Sequence, residues 1–466
     1  MPTPTRPLSV QCKIGQIGTS PGVRGTSTCR VVDDATLPQR TIMMRRSQLT
    51  AYVDHWTNGI RGDVLVVGGL RIGGAGALMA MHMVMARRLG PGEYGEFTMI
   101  LAIAGTAVTV APLGWPLAAV RFVAVYLVSA NHDLLRGFLR ASHLVTLAGG
   151  TAAGAILLVA AEWTPSPVAP AVRLAGLLTP VWALSFLRMR VFQGFGRMRA
   201  SLLPEQMVLP LIMIAAGLSV GFMSAAAYVY VLIATHVVTL IIQTPYLWTP
   251  DSLAQASRAP RFEMRIWWAT SLPLVVSGAG RLLLNRVDVL MIGAMMGTVD
   301  AGVYGAANRL SLLIVLGITA LTTVLMPRLA AEYSRGDMIS FRRTIRISHA
   351  LGVATAAVPA VLMIGVPRVF VWLFGAGFEG SEPLVRILAL GGFLAVVSGV
   401  GTVAMAMIGE HRRLAYFTLG AVVINILGNG LAIPVYGAAG AATVSVISLL
   451  VIHVPSVLVV HARSHE

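Results

Sequence analysis

Long apolar runs, repeated along almost the whole chain, constrain its fold more than any other feature. From Val64 onward, runs of about 18 or more apolar residues follow one another, separated by short breaks that carry Arg, Pro or Gly. The composition agrees, since 56% of the 466 residues are hydrophobic and only 12% are charged, against about 25% charged in soluble domains. The sequence therefore predicts an all-α polytopic membrane protein.

The apolar runs predict about twelve transmembrane helices. The seventh would be about 46 Å long as a straight helix, against a hydrocarbon core of about 30 Å. We expect one tilted or kinked span there, bent around Pro273, Gly278 and Gly280, because splitting it would break the alternation of loop charge. The predicted spans are 64–85, 97–120, 139–161, 171–187, 203–223, 225–247, 266–296, 302–325, 347–366, 384–408, 414–433 and 437–460.

Arginine is distributed unequally between the two sets of loops. One set holds only Arg87, Arg88, Arg173 and Arg368, whereas every loop of the other set carries two or more arginines. The positive-inside rule makes the Arg-rich side cytoplasmic, so we expect both termini in the cytoplasm of a bacterial cell and the spans in its inner membrane. Topology thus explains the net charge of +16, and we expect no nucleic-acid partner.

Residues 1–62 are polar and turn-rich, which predicts a disordered cytoplasmic extension. Cys12 and Cys29 lie outside every predicted span, so they support neither a disulfide nor a metal site. We expect no cofactor and no metal. The chain contains no P-loop sequence, so we expect no ATP hydrolysis by it.

The two halves of the chain resemble each other. The turn segment at 89–95 recurs at 296–305, and the segment at 196–199 recurs at 409–412. Because six predicted helices separate the copies, both halves have the same orientation, which is typical of a parallel internal repeat. We therefore expect two six-helix bundles, at 63–250 and 251–466, with a substrate site between them.

Five segments of the chain have a characteristic order and spacing. In chain order they read ARRLGPGEYGEF, NRVDVLMIGAMMGTVDAGVYGAANRL, MPRLA, FGAGFEGSEPLVRILAL and NILGNGLAIPVYGAAGAA. Together they resemble the polysaccharide transporter (oligosaccharide or O-antigen flippase) branch of the multidrug/oligosaccharidyl-lipid/polysaccharide flippase superfamily. The resemblance covers Val64 to about Val460. It implies a MATE-like fold with a central cavity open alternately to each side, and an undecaprenyl-diphosphate-linked oligosaccharide as the substrate.

A diphosphate in a membrane cavity requires fixed positive charge, which intramembrane arginines supply. Arg71 lies about 12 Å inside the first span, on the same face as His82. We interpret Arg71 as a cavity residue, with snorkelling to the headgroups as its alternative. For His82 we favour a hydrogen-bonded packing role. Arg386 lies near the periplasmic end of the tenth span, and an interfacial ion pair explains it.

The seventh and eighth spans offer polar faces for the substrate. Arg281, Asn285 and Asp288 fall on one helical stripe, which we expect to line the cavity. The alternative is that Asp288 neutralises a neighbouring Arg and fixes helix packing. In the eighth span we expect Tyr304, Asn308 and Arg309 to contribute to the cavity.

Three alternative functions remain open at this point. A cation-coupled multidrug antiporter would use membrane carboxylates, of which only Asp288 lies deep in a span. A glycosyltransferase or polymerase would be expected to have a larger extracytoplasmic loop than 367–383, and a membrane scaffold would give the buried arginines no role. For the flippase, the expected partners are the lipid-linked oligosaccharide, membrane lipids, and the polymerase and glycosyltransferases of the same pathway.

Overall fold

The computed structural model describes residues 9–12, 28–32, 44–164, 168–219, 224–248, 259–284 and 286–465. Almost all of this is helical. The helices are α1 (Arg46–Val110), α2 (Trp115–Val128), α3 (His132–Ala160), α4 (Ala169–Gly194), α5 (Met198–Leu203), α6 (Leu209–Ser219), α7 (Ala225–Trp248), α8 (Met264–Leu284), α9 (Val287–Met295), α10 (Thr298–Ser334), α11 (Met338–Gly365), α12 (Pro367–Trp372), α13 (Glu382–Met407) and α14 (His411–His465).

The described residues contain nine helices that are long and apolar enough to cross a membrane. Two of these helices fold back on themselves at one glycine with positive φ, Gly90 (φ 70°) in α1 and Gly437 (φ 58°) in α14. The reversal at Gly90 brings Tyr94 Oη within 3.1 Å of His82 Nδ1. Each therefore counts as two spans, and α8 with α9 supplies the remaining one. The all-α architecture of about twelve spans is confirmed.

The seventh span is broken, and not where the sequence predicted. Pro273 lies inside α8, which continues to Leu284, and α9 begins at Val287. A proline within a helix can be tolerated as a kink, whereas the regular hydrogen-bond ladder stops between Leu284 and Val287. The expected bend around Pro273, Gly278 and Gly280 is thus replaced by a break immediately before Asp288.

Two other spans also depart from a plain helix. The second span consists of the end of α1 and all of α2, joined by a turn at 111–114. The fifth span contains a π turn, Pro204–Val208, between α5 and α6. Such π turns are rare and occur frequently at functional sites.

Three short strands precede the first helix: β1 (Ser9–Cys12), β2 (Thr28–Val32) and β3 (Met44–Arg45). They pair antiparallel in the order β1-β2-β3, with Ser9 opposite Val32. Much of 1–62 lies outside the described residues, so the disorder expected for this extension stays a prediction.

Helices α1–α7 form the N-terminal half and α8–α14 form the C-terminal half. The two copies of the repeated turn segment pack directly against each other at the end of the molecule that is predicted to be periplasmic. A Cβ atom on Gly95 would lie 1.7 Å from Thr298 O, and one on Gly302 would lie 2.1 Å from Pro91 O. Only glycine permits such backbone contact, which explains its presence in both copies.

Arg87 closes the same end. Its Nε donates to Leu373 O at 2.9 Å, its Nη2 donates to Trp372 O at 3.0 Å, and its guanidinium lies 4.9 Å from the centre of the Trp372 ring. Arg87 belongs to α1 and both acceptors belong to the C-terminal half. The contact therefore joins the two halves.

At the opposite end, the start of α8 packs on the N-terminal half through aromatic side chains. Trp267 Nε1 donates to Tyr126 Oη at 2.8 Å, and the Trp267 ring lies 5.3 Å from Phe138 and 6.0 Å from Trp115. The seventh span is thus attached to the N-terminal half at its beginning. Its last part, α9, packs against α10 and α14 of the C-terminal half.

Candidate functional site

A buried carboxylate network occupies the C-terminal half just after the break in the seventh span. Asp288 is 4% exposed and lies in the first turn of α9, where the helix dipole favours negative charge. Its Oδ1 accepts hydrogen bonds from Asn429 Nδ2 at 2.8 Å and Asn425 Nδ2 at 3.1 Å. Its Oδ2 accepts from Tyr304 Oη at 2.8 Å and from Ser445 Oγ at 2.5 Å.

These four donors come from two helices, α10 and both arms of α14. Tyr304 lies in α10, Asn425 and Asn429 lie in the first arm of α14, and Ser445 lies in its second arm. Among the side chains that the structure describes, no Arg or Lys forms an ion pair with Asp288. The alternative in which Asp288 neutralises a neighbouring Arg therefore has no partner in the described part of the chain.

This network contains one carboxylate that no described Arg or Lys neutralises. A buried carboxylate without a cationic partner is costly, and binding a proton or a small cation removes that cost. The described residues contain no group of three or more His, Cys, Asp or Glu side chains suited to a divalent metal. A proton or a monovalent cation is the kind of species that could neutralise one such carboxylate.

Two arginines lie at the junction between the halves. Arg309 of α10 is close enough to His82 and Tyr94 of α1 for its charge to act on both. Arg286, which precedes α9, is within the electrostatic reach of Arg309, and its guanidinium lies against Gly105 of α1. The Arg286 Nη1 atom is buried without a hydrogen-bond partner in the described residues.

His82 is a buried, hydrogen-bonded residue beside this pair of arginines. It is 1% exposed, and its Nδ1 shares a hydrogen bond with Tyr94 Oη, while the Tyr94 ring packs edge-on against Phe374 and Phe378 of the C-terminal half. The interpretation of His82 as a hydrogen-bonded packing residue is confirmed. Among the described side chains, no hydrogen bond or ion pair links Asp288 to Arg286 or Arg309.

The other residues selected from the sequence lie apart from these two groups or outside the described side chains. Arg71 is exposed on α1, where its charge acts on Arg190 of α4. Asn308 is half-buried on α10, one residue before Arg309. The Arg281 side chain and the whole of Asn285 lie outside the described part of the chain, so their place on a cavity stripe stays a prediction.

Sequence reasoning missed three members of the network and one of the arginines. The sequence prediction does not include Asn425 and Asn429, although two Asn residues one turn apart in an apolar span are a usable signal. Ser445 gives no signal, since Ser is common between membrane helices. The prediction also omits Arg286, because in one continuous helix Arg286 would point about 140° away from Arg281, and the break removes that reason.

The sequence profile of the family described as "Polysaccharide biosynthesis protein" matches residues 63–331, more than half of the chain, and the MatE profile matches residues 273–431. Among curated proteins, the probable multidrug resistance protein NorM of Brucella suis biovar 1 (strain 1330) is 29% identical over 148 residues. That alignment covers 30% of this chain and 31% of the relative, so the chain matches about a third of the length of that relative.

The fold matches solved transporters over most of the chain. An inward-facing multidrug resistance MATE family transporter of the MOP superfamily has a TM-score of 0.69 at 13% identity, covering 85% of this chain and 94% of the other. The lipid II flippase MurJ in an inward closed conformation has a TM-score of 0.59 at 9% identity, covering 86% and 88%. The profile match shows that the chain belongs to the polysaccharide biosynthesis protein family, and the likeness to these solved structures shows that it has the same fold.

Proposed function

We propose that the chain is a flippase that moves an undecaprenyl-diphosphate-linked oligosaccharide across the bacterial inner membrane for the biosynthesis of surface polysaccharide. The observation that carries this proposal is the arginine pair, Arg286 and Arg309, between the two halves. Movement would proceed by alternating access, with both termini in the cytoplasm. The polymerase and glycosyltransferases of the same pathway are the expected partners.

The charge of the pair favours an anionic substrate. Two guanidinium groups within electrostatic reach repel each other, and neither forms an ion pair with a carboxylate among the described residues. Burying such a pair is costly unless an anion joins it. A diphosphate supplies two charges and several acceptor oxygens, which guanidinium forks bind in bidentate geometry.

The position of the pair fits a substrate that passes between the halves. Arg309 belongs to the C-terminal half but faces His82 and Tyr94 of the N-terminal half. Arg71 lies eleven residues before His82 on α1, hence roughly 16 Å nearer to the predicted cytoplasmic end. In this proposal Arg71 attracts the headgroup at the cytoplasmic opening, and Arg286 and Arg309 hold it deeper in the cavity.

Asp288 favours a second candidate, a cation-coupled multidrug antiporter. The carboxylate accepts four hydrogen bonds and has no ion pair in the described part of the chain, which suits cation coupling. A cationic drug, however, would be repelled by Arg286 and Arg309. Cation coupling through Asp288 is compatible with both candidates. The two functions are therefore distinguished by identifying which substrate is transported.

The test uses the purified chain in proteoliposomes that contain a fluorescent undecaprenyl-diphosphate-linked saccharide. We expect the wild type to move the lipid, and Arg309→Ala and Arg286→Ala to weaken its binding by roughly tenfold or more, since a charge-assisted hydrogen bond is worth about 1.5–3 kcal/mol. Arg386→Ala is the matched control, because Arg386 is exposed on α13 and its Nε donates to the Ile364 carbonyl at 3.2 Å.

Two results would contradict the flippase. One is transport of the lipid at wild-type rates by both arginine variants. The other is an absence of lipid movement together with accumulation of a cationic dye that depends on Asp288, which would establish the antiporter instead.

A further inference from the structure

The N-terminal half contains a small polar cavity that has no role in the proposed substrate path. It lies between α4, the fifth span and α7, and its volume is about 10 Å³, close to the space that one water-sized guest needs. Its polar lining residues are Ser185, Ser201, Glu205, His236, Thr239 and Gln243.

Four oxygen atoms around this cavity are buried and lack a hydrogen-bond partner among the described residues: Ser185 Oγ, Ser201 Oγ, Glu205 Oε1 and Gln243 Oε1. Ser201 is 1% exposed and Ser185 is 5% exposed. Buried polar atoms are almost always satisfied, and each unsatisfied group costs about 1–3 kcal/mol. Four such oxygen atoms around one cavity indicate a bound ion or molecule that these oxygens hold.

The local backbone positions Glu205 at the cavity. The π turn begins at Pro204, and Leu209 N–H donates to Pro204 O across it. Gln206 and Met207 face α1, where a Cβ atom on Gly74 would lie 2.6 Å from Gln206 Cβ and one on Gly73 would lie 2.7 Å from Met207 Cε. The glycines of α1 thus leave room for the wide turn, while Glu205 lines the cavity on its other side.

The charge around the cavity limits the guest to one positive charge. Arg190 of α4 is near enough to act on Glu205, but its Nη1 donates to Gln193 Oε1 at 3.2 Å and its guanidinium lies over the Phe186 ring. Among the described residues Glu205 forms no ion pair. The Glu205 carboxylate carries one negative charge, which compensates a monovalent ion but not a divalent one.

We propose that this cavity is a binding site for a small monovalent cation, with sodium as the ion we would test, held by Glu205, Ser185, Ser201 and Gln243. Hard cations prefer oxygen ligands, which all four residues supply. The site is distinct from the Asp288 network, because it lies in the other half and shares no residue with it. It also does not depend on which substrate the transporter carries.

The experiment measures binding of radioactive sodium to the purified full-length chain, with Asp288→Asn in every sample so that the Asp288 carboxylate does not contribute. The thermal unfolding midpoint is measured in parallel in sodium chloride and in choline chloride of equal ionic strength. We expect saturable sodium binding and a higher midpoint in sodium chloride. Glu205→Gln should abolish both, and Ser201→Ala should weaken binding by about tenfold.

Glu162→Gln is the matched control, because Glu162 is an exposed carboxylate that pairs with Arg173 at 3.0 Å. It should bind sodium as the background does. If Glu205→Gln does not fold, Ser201→Ala and Ser185→Ala still test the site. Equal sodium binding in the background and in the cavity variants would show that sodium binds elsewhere, and no saturable binding in any of them would show that there is no sodium site. Either result would overturn the proposal.

Discussion

The Arg286 guanidinium lies directly against Gly105 of the N-terminal half. A Cβ atom built on Gly105 would fall 2.0 Å from Arg286 Nη1 and 2.4 Å from its Cζ. Gly105 belongs to α1, whereas Arg286 precedes α9 in the C-terminal half. The guanidinium therefore occupies space that only the absence of a side chain at position 105 leaves free.

Gly105→Ala should displace the Arg286 guanidinium. The added methyl group cannot share the position of Nη1, and the flexible Arg side chain will move before the helix backbone does. In the lipid-translocation assay we expect a lower rate and weaker binding of the lipid, with the protein still inserted in the membrane. Wild-type transport by this variant would exclude a role for the observed Arg286 position.

Gly76→Ala provides the comparison for this change. Gly76 lies in the same helix, and a Cβ atom there meets nothing within 4 Å. The substitution adds the same methyl group in open space and should raise helix stability slightly. Equal loss of transport in both variants would show that a methyl group anywhere in α1 is harmful.

Asn429→Ala should destabilise the C-terminal half. Asn429 is fully buried and donates to Asp288 Oδ1 at 2.8 Å, and removing it leaves a buried carboxylate with one donor fewer. We expect a loss of roughly 1–3 kcal/mol in the free energy of unfolding, measured by thermal or denaturant unfolding in detergent. Thr443→Ala, at an exposed residue whose hydroxyl donates only to Ala439 O of its own helix, should have little effect.

Arg87→Ala should loosen the closure at the predicted periplasmic end. The variant loses two hydrogen bonds to the Leu373 and Trp372 carbonyls and the contact with the Trp372 ring. With Cys12 and Cys29 replaced by Ser, a reporter cysteine at buried Ala307 should react faster with an impermeant maleimide added outside. Arg88→Ala is the control, because Arg88 is exposed and makes no side-chain hydrogen bond in the described structure; equal labelling in the two variants would contradict the closure.

The predicted topology can be tested with two single cysteines at exposed positions. Arg343→Cys in α11 is expected on the cytoplasmic side, and Glu379→Cys, in the short turn before α13, on the periplasmic side. An impermeant maleimide applied to intact spheroplasts should label only the second. Labelling of the first alone would invert the topology and refute the positive-inside assignment.

The general architecture could be predicted from the sequence because the membrane imposes it. A span needs about 20 apolar residues, and all backbone groups have to be satisfied within the helix. These requirements produce long apolar runs at regular intervals in the sequence. The number of spans and the repeat of the turn segments around Gly90 and Gly297 can therefore be predicted from the sequence. The positive φ of Gly90 and Gly297 explains why these segments kept glycine.

The candidate sites were harder to predict because they depend on breaks in the helices. The prediction that Arg281 and Asp288 share one face required one continuous helix. In the structure α8 ends at Leu284 and α9 begins at Val287. Across such a break, residue spacing no longer gives the angle between side chains. The partners of Asp288 also come from α14, more than a hundred residues away, and no local pattern records that pairing.

The one-residue turn at Gly90 has a mechanical consequence. It joins the first two spans with no loop between them, and the bond between His82 and Tyr94 ties the two arms together just beyond the turn. The turn and this hydrogen bond fix where the two arms meet, at the end nearest Gly90. The arm that carries Arg71 and the arm whose Gly105 contacts Arg286 are thus joined through one glycine.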